Sequence, residues 1–209
     1  MKELSSKKAY EILMESSELN PGSWVDRSIH VAKCARKIAE KTDLDPDQSQ
    51  SYGYLYDIGR RFGNTGLRHI IDGYNFLMKE GYEEAARICL THSFAVQDIK
   101  NGIGKLDLNE EEYRFVDEYI NNIKYDDYDR LIQLCDSLAL PTGPTLVERR
   151  LMDVDLRYGV NDKTVENWKA ILNIQADIER KLGYSIYKLF PEVCKNIELN
   201  PVEEILKIK

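Results

Sequence analysis

The chain lacks the features that mark membrane, secreted and nucleic-acid-binding proteins. Its 209 residues carry a net charge of −7, which disfavours a broad basic face for a nucleic-acid polymer. No apolar run approaches the roughly 20 residues that a membrane helix requires. No such run follows the N-terminus either, so no signal peptide is predicted. We therefore expect a cytoplasmic protein with no membrane partner.

Several sequence motifs of well-known enzymes are also missing. The segment 102–105 lacks the spacing of a nucleotide P-loop, and the chain has neither a Gly-x-Ser-x-Gly elbow nor a His-Glu-x-x-His pair. The cysteines form no Cys-x-x-Cys pair, which predicts reduced thiols rather than a disulfide framework. They are Cys34, Cys89, Cys135 and Cys194.

Helical patterning runs through nearly the whole chain. Hydrophobic residues make up 43% and charged residues 31%, as in an ordinary globular domain. Asp45 followed by Pro46 predicts a helix start, and Gly81 predicts a helix end. We predict one all-α domain over residues 1–209. The predicted helices span about 4–17, 23–41, 45–59, 67–80, 83–92, 109–123, 126–140, 145–158 and 162–182, with a loop over 94–108.

Histidines and aspartates at helix ends or at the edges of apolar faces are the candidate metal ligands. Inward-pointing ligands from different helices are how a helical bundle builds a metal site. Imidazole and carboxylate ligands together suit Mn, Fe, Co, Ni or Zn. The alternative interpretation is that the histidines pack between helices and hold no metal. The candidates are His30, Asp57, His69, His92 and Asp136.

Three arginines, Arg60, Arg61 and Arg68, cluster near the loop that follows Asp57. Guanidinium groups bind phosphate with two parallel hydrogen bonds, so they favour a small phosphorylated ligand. A solvated helix end is the alternative interpretation of these residues. Tyrosine-rich segments further along the chain fit either a homodimer contact or packing within the bundle. The tyrosines are Tyr113, Tyr119, Tyr125 and Tyr128.

These motifs, and their order along the chain, resemble those of the HD superfamily of metal-dependent phosphohydrolases. The segment 55–60 is similar to the signature turn of that family, and 91–93 is similar to one of its additional histidine motifs. The resemblance covers residues 23–140. It implies a single helical bundle of the HD type, on which the helices of 145–209 pack. It also implies hydrolysis of a nucleotide or other small phosphoester by one or two divalent transition metal ions.

The resemblance also implies roles for individual residues. His30, Asp57 and Asp136 correspond to the first metal site of the family, and Asp57, His69 and His92 to the second. Asp57 and Arg60 correspond to the catalytic residues. Arg60 and Arg61 are the expected phosphate-binding residues.

Tyr56 departs from the family pattern. The family has a His-Asp doublet, whereas this chain has Tyr56 before Asp57. A phenol with a pKa of about 10 is mostly protonated at neutral pH and is a poor ligand for a divalent metal. The first site therefore loses a ligand. A phosphohydrolase with a weakened site and a non-catalytic relative that binds a nucleotide or a partner both fit the sequence.

Overall fold

The computed structural model describes residues 2–199. In it, helices begin where short-range sequence signals predict them. The Asp45 carboxylate accepts a hydrogen bond from the backbone N–H of Gln48 at one helix start, and Asn109 forms a capping box with Glu112 at another. The described part contains ten α-helices. They are α1 Ser6–Leu19, α2 Ser23–Ala39, α3 Pro46–Leu55, α4 Arg68–Glu80, α5 Glu83–Thr91, α6 Glu110–Asn122, α7 Asp127–Ser137, α8 Val147–Tyr158, α9 Thr164–Leu182 and α10 Glu192–Leu199.

The remaining elements are short. Strands β1 (Ala139–Leu140) and β2 (Gly143–Pro144) pair in antiparallel fashion, where the sequence predicted only a helix break. Three 3-10 turns connect helices, at Ile58–Phe62, Ile99–Asn101 and Ile186–Leu189. The all-α prediction is therefore confirmed, since the only sheet among residues 2–199 is a hairpin whose two strands have two residues each.

The core is built around α2, which packs along α3 and against α7. Val31, Ala35 and Ile38 recur on one face of α2 at helical spacing and are fully buried. A second apolar cluster joins α4, α5 and α6 through residues such as Ile70 and Val116. Helix α3 lies in the main cluster, whereas α4 contributes Leu77 to the main cluster and Ile70 to the second, so the loop between the two helices lies where the clusters meet.

The C-terminal helices α8 and α9 both pack on α7, and α10 packs beside β2. Ile186 and Phe190 are buried in the main core. The predicted packing of 145–209 can be followed as far as residue 199, and residues 200–209 lie outside the described part. None of the helices between residues 2 and 199 is both long and apolar enough to cross a membrane.

Gly59 allows the 3-10 turn Ile58–Phe62 to lie directly against α4. A Cβ at this position would lie 1.9 Å from the carbonyl oxygen of His69 and 2.6 Å from the backbone nitrogen of Gly73. We expect Gly59→Ala to lower the free energy of unfolding by about 3 kcal/mol, because backbone must move on both sides. Urea denaturation measures this. Gly22→Ala is the control, with an expected loss of no more than about 1 kcal/mol; equal losses for the two variants would contradict the close-contact explanation.

Candidate metal centre

Four helices and one turn bring the predicted site residues to the middle of the bundle. Asp57 lies at the break between α3 and the turn Ile58–Phe62. His69 is in the first turn of α4, and His92 is the C-terminal cap of α5. Asp136 lies in the last turn of α7. Side chains from four separate points of the chain therefore converge, as a metal site in a helical bundle requires.

Asp57, His69 and His92 form a buried cluster. Their nearest ligand atoms all lie within 4.8 Å of one another. The Nε2 atom of His69 is 3.3 Å from Oδ1 of Asp57 and 3.5 Å from Nε2 of His92. The exposed fractions of the residues are 0%, 5% and 7% respectively. Such a compact and buried set of side chains can hold one ion.

Backbone carbonyls fix the tautomer of both imidazoles. Nδ1 of His69 lies 2.5 Å from the carbonyl oxygen of Gly66, and Nδ1 of His92 lies 3.0 Å from that of Cys89. A carbonyl oxygen only accepts, so Nδ1 carries the proton in each ring and Nε2 keeps its lone pair. The lone pair of His69 Nε2 lies at the cluster, and that of His92 Nε2 also lies 3.0 Å from the hydroxyl oxygen of Ser93. Histidines that bind a metal through one ring nitrogen commonly donate such a hydrogen bond from the other ring nitrogen.

The protonation states suit a metal as well. Burial lowers the pKa of His69 to about 4 and also lowers the pKa of His92. Burial alone would raise the pKa of Asp57, but the nearby Arg60, His69 and Arg27 outweigh it and hold this pKa well below its usual range. At neutral pH the cluster therefore contains a carboxylate and two neutral imidazoles, the forms that bind metal.

One carboxylate oxygen of the cluster lacks a hydrogen-bond donor among residues 2–199. Oδ1 of Asp57 is buried and has no hydrogen-bond partner within the described residues. It faces the Nε2 lone pair of His69, so two acceptors meet without a proton between them. An orphaned buried carboxylate oxygen is costly unless something compensates it. The residues present thus fit a divalent ion at Asp57, His69 and His92.

Arg27 occupies the region beside the other oxygen of Asp57. One of its guanidinium nitrogens lies 3.1 Å from Oδ2 of Asp57 and 3.2 Å from Oδ1 of Asp136. Its Nε donates to the hydroxyl of Tyr56 at 3.0 Å, and that hydroxyl donates to Asp136 at 2.8 Å. Burial would lower the pKa of Arg27, but Asp136, Tyr56 and Asp57 raise it above its ordinary value. A permanent positive charge lies between the two aspartates.

His30 does not join the cluster, and the side chain that lies between Asp57 and Asp136 in the structure is that of Arg27. His30 is half-buried and its electrostatic neighbours are Lys33, Asp26 and Glu192. Residues three apart on a helix point about 60° away from each other. Arg27 was missed, although it lies one turn before the core residue Val31 and on the same face, a spacing visible in the sequence.

Arg60 and Arg61 point in different directions. Nε of Arg60 donates to Oδ2 of Asp57 at 2.6 Å, and its side chain lines the cleft beside the cluster. The guanidinium of Arg61 instead lies 4.0 Å from the ring centroid of Phe76. Arg61 is not among the residues that line the cleft, and its phosphate-binding role stays a prediction. Arg60 remains beside the cluster.

A cleft opens from the cluster along α8. It consists of two adjoining cavities of about 500 and 510 Å³, both lined by Arg27 and Arg60. His69, His92 and Asp136 line the larger one. Arg150 and Arg157 of α8 line both. Sequence reasoning missed these two arginines, because no short-range signal links α8 to the cluster.

The comparison with known families agrees with this geometry. The HD domain family matches residues 24–140, which is more than half of the 209 residues and contains all three cluster residues. No curated protein matches the chain, and neither does any solved structure. The match ends at β1, before α8 begins. The chain belongs to the HD domain family.

Proposed function

We propose that the protein is a metal-dependent phosphohydrolase that acts on a nucleotide or another small phosphoester. The HD domain family consists of metal-dependent phosphohydrolases. In this chain, a set of residues that could hold a metal ion lies at the cleft. The observation that carries the proposal is the convergence of Oδ1 of Asp57, which has no hydrogen-bond partner among the described residues, with the Nε2 atoms of His69 and His92.

One divalent transition metal ion, at Asp57, His69 and His92, is the proposed cofactor. The first site of the family is filled here by the guanidinium of Arg27 and the hydroxyl of Tyr56. A second ion would lie against a buried positive charge, with a phenol in place of an imidazole. We infer that Arg27 supplies the charge that a metal ion would otherwise supply, so one ion suffices to balance the cluster.

The side chains around the cluster have separate roles in this proposal. Asp57, His69 and His92 would hold the transition metal ion, which would supply polarisation of a phosphoryl oxygen and activation of water. Arg60 holds Asp57 through Nε and donates from Nη1 to the carbonyl oxygen of Thr65, which leaves Nη2 for non-bridging phosphate oxygens in the cleft. Arg27 and Tyr56 position Asp136 by hydrogen bonds. The backbone carbonyls at Gly66 and Cys89 keep the imidazoles oriented.

A non-catalytic protein that binds a nucleotide or a partner is the second candidate. The filled first site favours it, since Arg27 and Tyr56 replace a metal and an imidazole that act in catalysis in the family. Hydrolysis assays separate the two candidates. Nucleotides and model phosphoesters are incubated with the protein and Mn²⁺ or Co²⁺; turnover that disappears in His69→Ala supports the enzyme. Metal binding without turnover of any of them would favour the binder.

Removing the metal is expected to lower the melting temperature by about 5–10 °C. An ion present at a hundred times its dissociation constant adds about 2.7 kcal/mol to the stability of the folded chain, and each kcal/mol shifts Tm by about 2–4 °C at this length. Thermal denaturation with a chelator, and then with Mn²⁺ or Co²⁺ restored, measures the shift.

His69→Ala and His30→Ala are the matched pair for this measurement. His69→Ala should abolish the response of Tm to metal, because it removes a ligand. His30→Ala should respond like the unchanged chain, because His30 lies outside the cluster. A metal response that survives in His69→Ala, or that His30→Ala removes, would contradict the assignment.

A further inference from the structure

Helix α8 (Val147–Tyr158), which lies outside the residues matched by the family, turns several arginines toward the cleft. Arg149, Arg150 and Arg157 line the smaller cavity together with Arg27 and Arg60. Arg150 and Arg157 also line the larger cavity, into which the metal cluster opens. The positive groups of α8 therefore adjoin the proposed catalytic site.

Arg150 is the most buried of these arginines, with 5% of the residue exposed. Its Nη1 donates to Oδ2 of Asp153 at 2.6 Å, but its Nε is buried and has no acceptor in the part of the chain that the structure describes. A buried guanidinium N–H without an acceptor is costly. An acceptor from outside the chain, at the cavity wall where Arg150 lies, would satisfy it.

Asp153 does not neutralise the arginines of α8. The same oxygen of Asp153 accepts from Arg150 at 2.6 Å and from Arg157 at 2.5 Å, so one carboxylate serves two guanidinium groups. Across both cavities, six positive side chains face four carboxylates. The positive ones are Arg27, Arg60, Lys105, Arg149, Arg150 and Arg157, and the carboxylates are Asp57, Asp136, Asp153 and Asp155.

This local positive excess is opposite in sign to the whole chain, whose net charge is −7. A positive cleft in an acidic protein concentrates anions at one place. Arg150 lines both cavities together with Arg27, so the arginines of α8 and the metal cluster face the same cleft.

We infer that Arg150 and Arg157 form a second anion subsite, and that the ligand of the cleft carries a diphosphate or longer phosphate chain. One phosphate group would lie at Arg60 and the metal cluster, and the next would accept hydrogen bonds from α8. The position at Arg60 and the metal cluster rests on the proposed function, whereas the position on α8 does not. Bidentate arginine contacts suit the oxygens of a phosphate chain.

Calorimetric titration of the metal-loaded protein with orthophosphate and with pyrophosphate tests the subsite. Pyrophosphate should bind at least about tenfold more tightly than orthophosphate, because a second charged group gains hydrogen bonds. Metal content is measured before and after each titration, so that chelation by pyrophosphate is detected. The orthophosphate affinity and the metal content test the proposed function. The ratio of the pyrophosphate affinity to the orthophosphate affinity tests the anion subsite on α8.

Arg157→Gln and Arg150→Gln should each reduce this ratio severalfold or more. Arg180→Gln is the control, since it removes the same charge from an exposed position on α9 where Arg180 pairs with Asp177; its ratio should be unchanged. Arg157 is only partly buried, so Arg157→Gln decides the matter if Arg150→Gln does not fold. Equal affinity for the two anions in the unchanged chain, or an unchanged ratio in Arg157→Gln, would overturn the inference.

Discussion

Asp57→Asn is expected to eliminate metal binding and to reduce any phosphoester hydrolysis by about 10³-fold or more. Oδ1 of Asp57 is a ligand of the cluster, and Oδ2 holds both Arg27 and Arg60. Asparagine keeps the shape of the side chain but removes the charge that attracts the ion. Elemental analysis of the purified variant and a hydrolysis assay measure the two effects.

Asp57→Asn should also destabilise the fold, by about 3–5 kcal/mol in urea denaturation, because two partly buried guanidinium groups lose the fully buried carboxylate that they share. Asp72→Asn is the matched control. Asp72 lies on α4 outside the cluster and pairs with Arg68 at 3.6 Å. This variant should retain the metal and lose less than about 1 kcal/mol. Asp57→Asn with a full complement of metal would contradict the assignment of Asp57.

The double variant Arg27→His with Tyr56→His is expected to bind about two metal ions per chain where the unchanged chain binds about one. The double change removes the guanidinium that lies between Asp57 and Asp136, and it adds two imidazoles beside those carboxylates. Titration with Mn²⁺ or Co²⁺, followed by elemental analysis after removal of loosely held ions, gives the number per chain.

The single variants separate the two contributions. Tyr56→His alone should leave the number of ions unchanged, because the charge of Arg27 remains in place. Arg36→His is the control for a change of charge on α2, since Arg36 pairs with the exposed Glu40 and touches no cluster residue. If the double variant binds no more metal than Arg36→His does, Arg27 is not what keeps a second ion out.

The sequence predicts the fold well where local signals act. The caps at Asp45 and Asn109 and the glycine end of α4 at Gly81 involve residues within a few positions of one another, so they are readable without tertiary structure. The hairpin of β1 and β2 was not predicted. Its strands are two residues long and too short to show an alternating pattern.

The candidate site could be predicted only in part. Asp57, His69 and His92 lie at helix ends that their own sequence signals define, and the structure brings them together. Whether Arg27 or His30 faces the cluster depends on how α2 is rotated about its axis relative to α3 and α7. Helical periodicity alone does not determine this rotation to within 60°. The stacking of Arg61 on Phe76 and the approach of α8 are tertiary contacts between distant segments.

The number of transition metal ions bound per chain is the decisive quantity. The unchanged protein, saturated with Mn²⁺ or Co²⁺ and freed of loosely held ions, should contain about one ion, held by Asp57, His69 and His92. His69→Ala, measured in parallel, should contain none. No bound ion would contradict the metal centre itself. Two ions in the unchanged chain would contradict the conclusion that Arg27 occupies the first site.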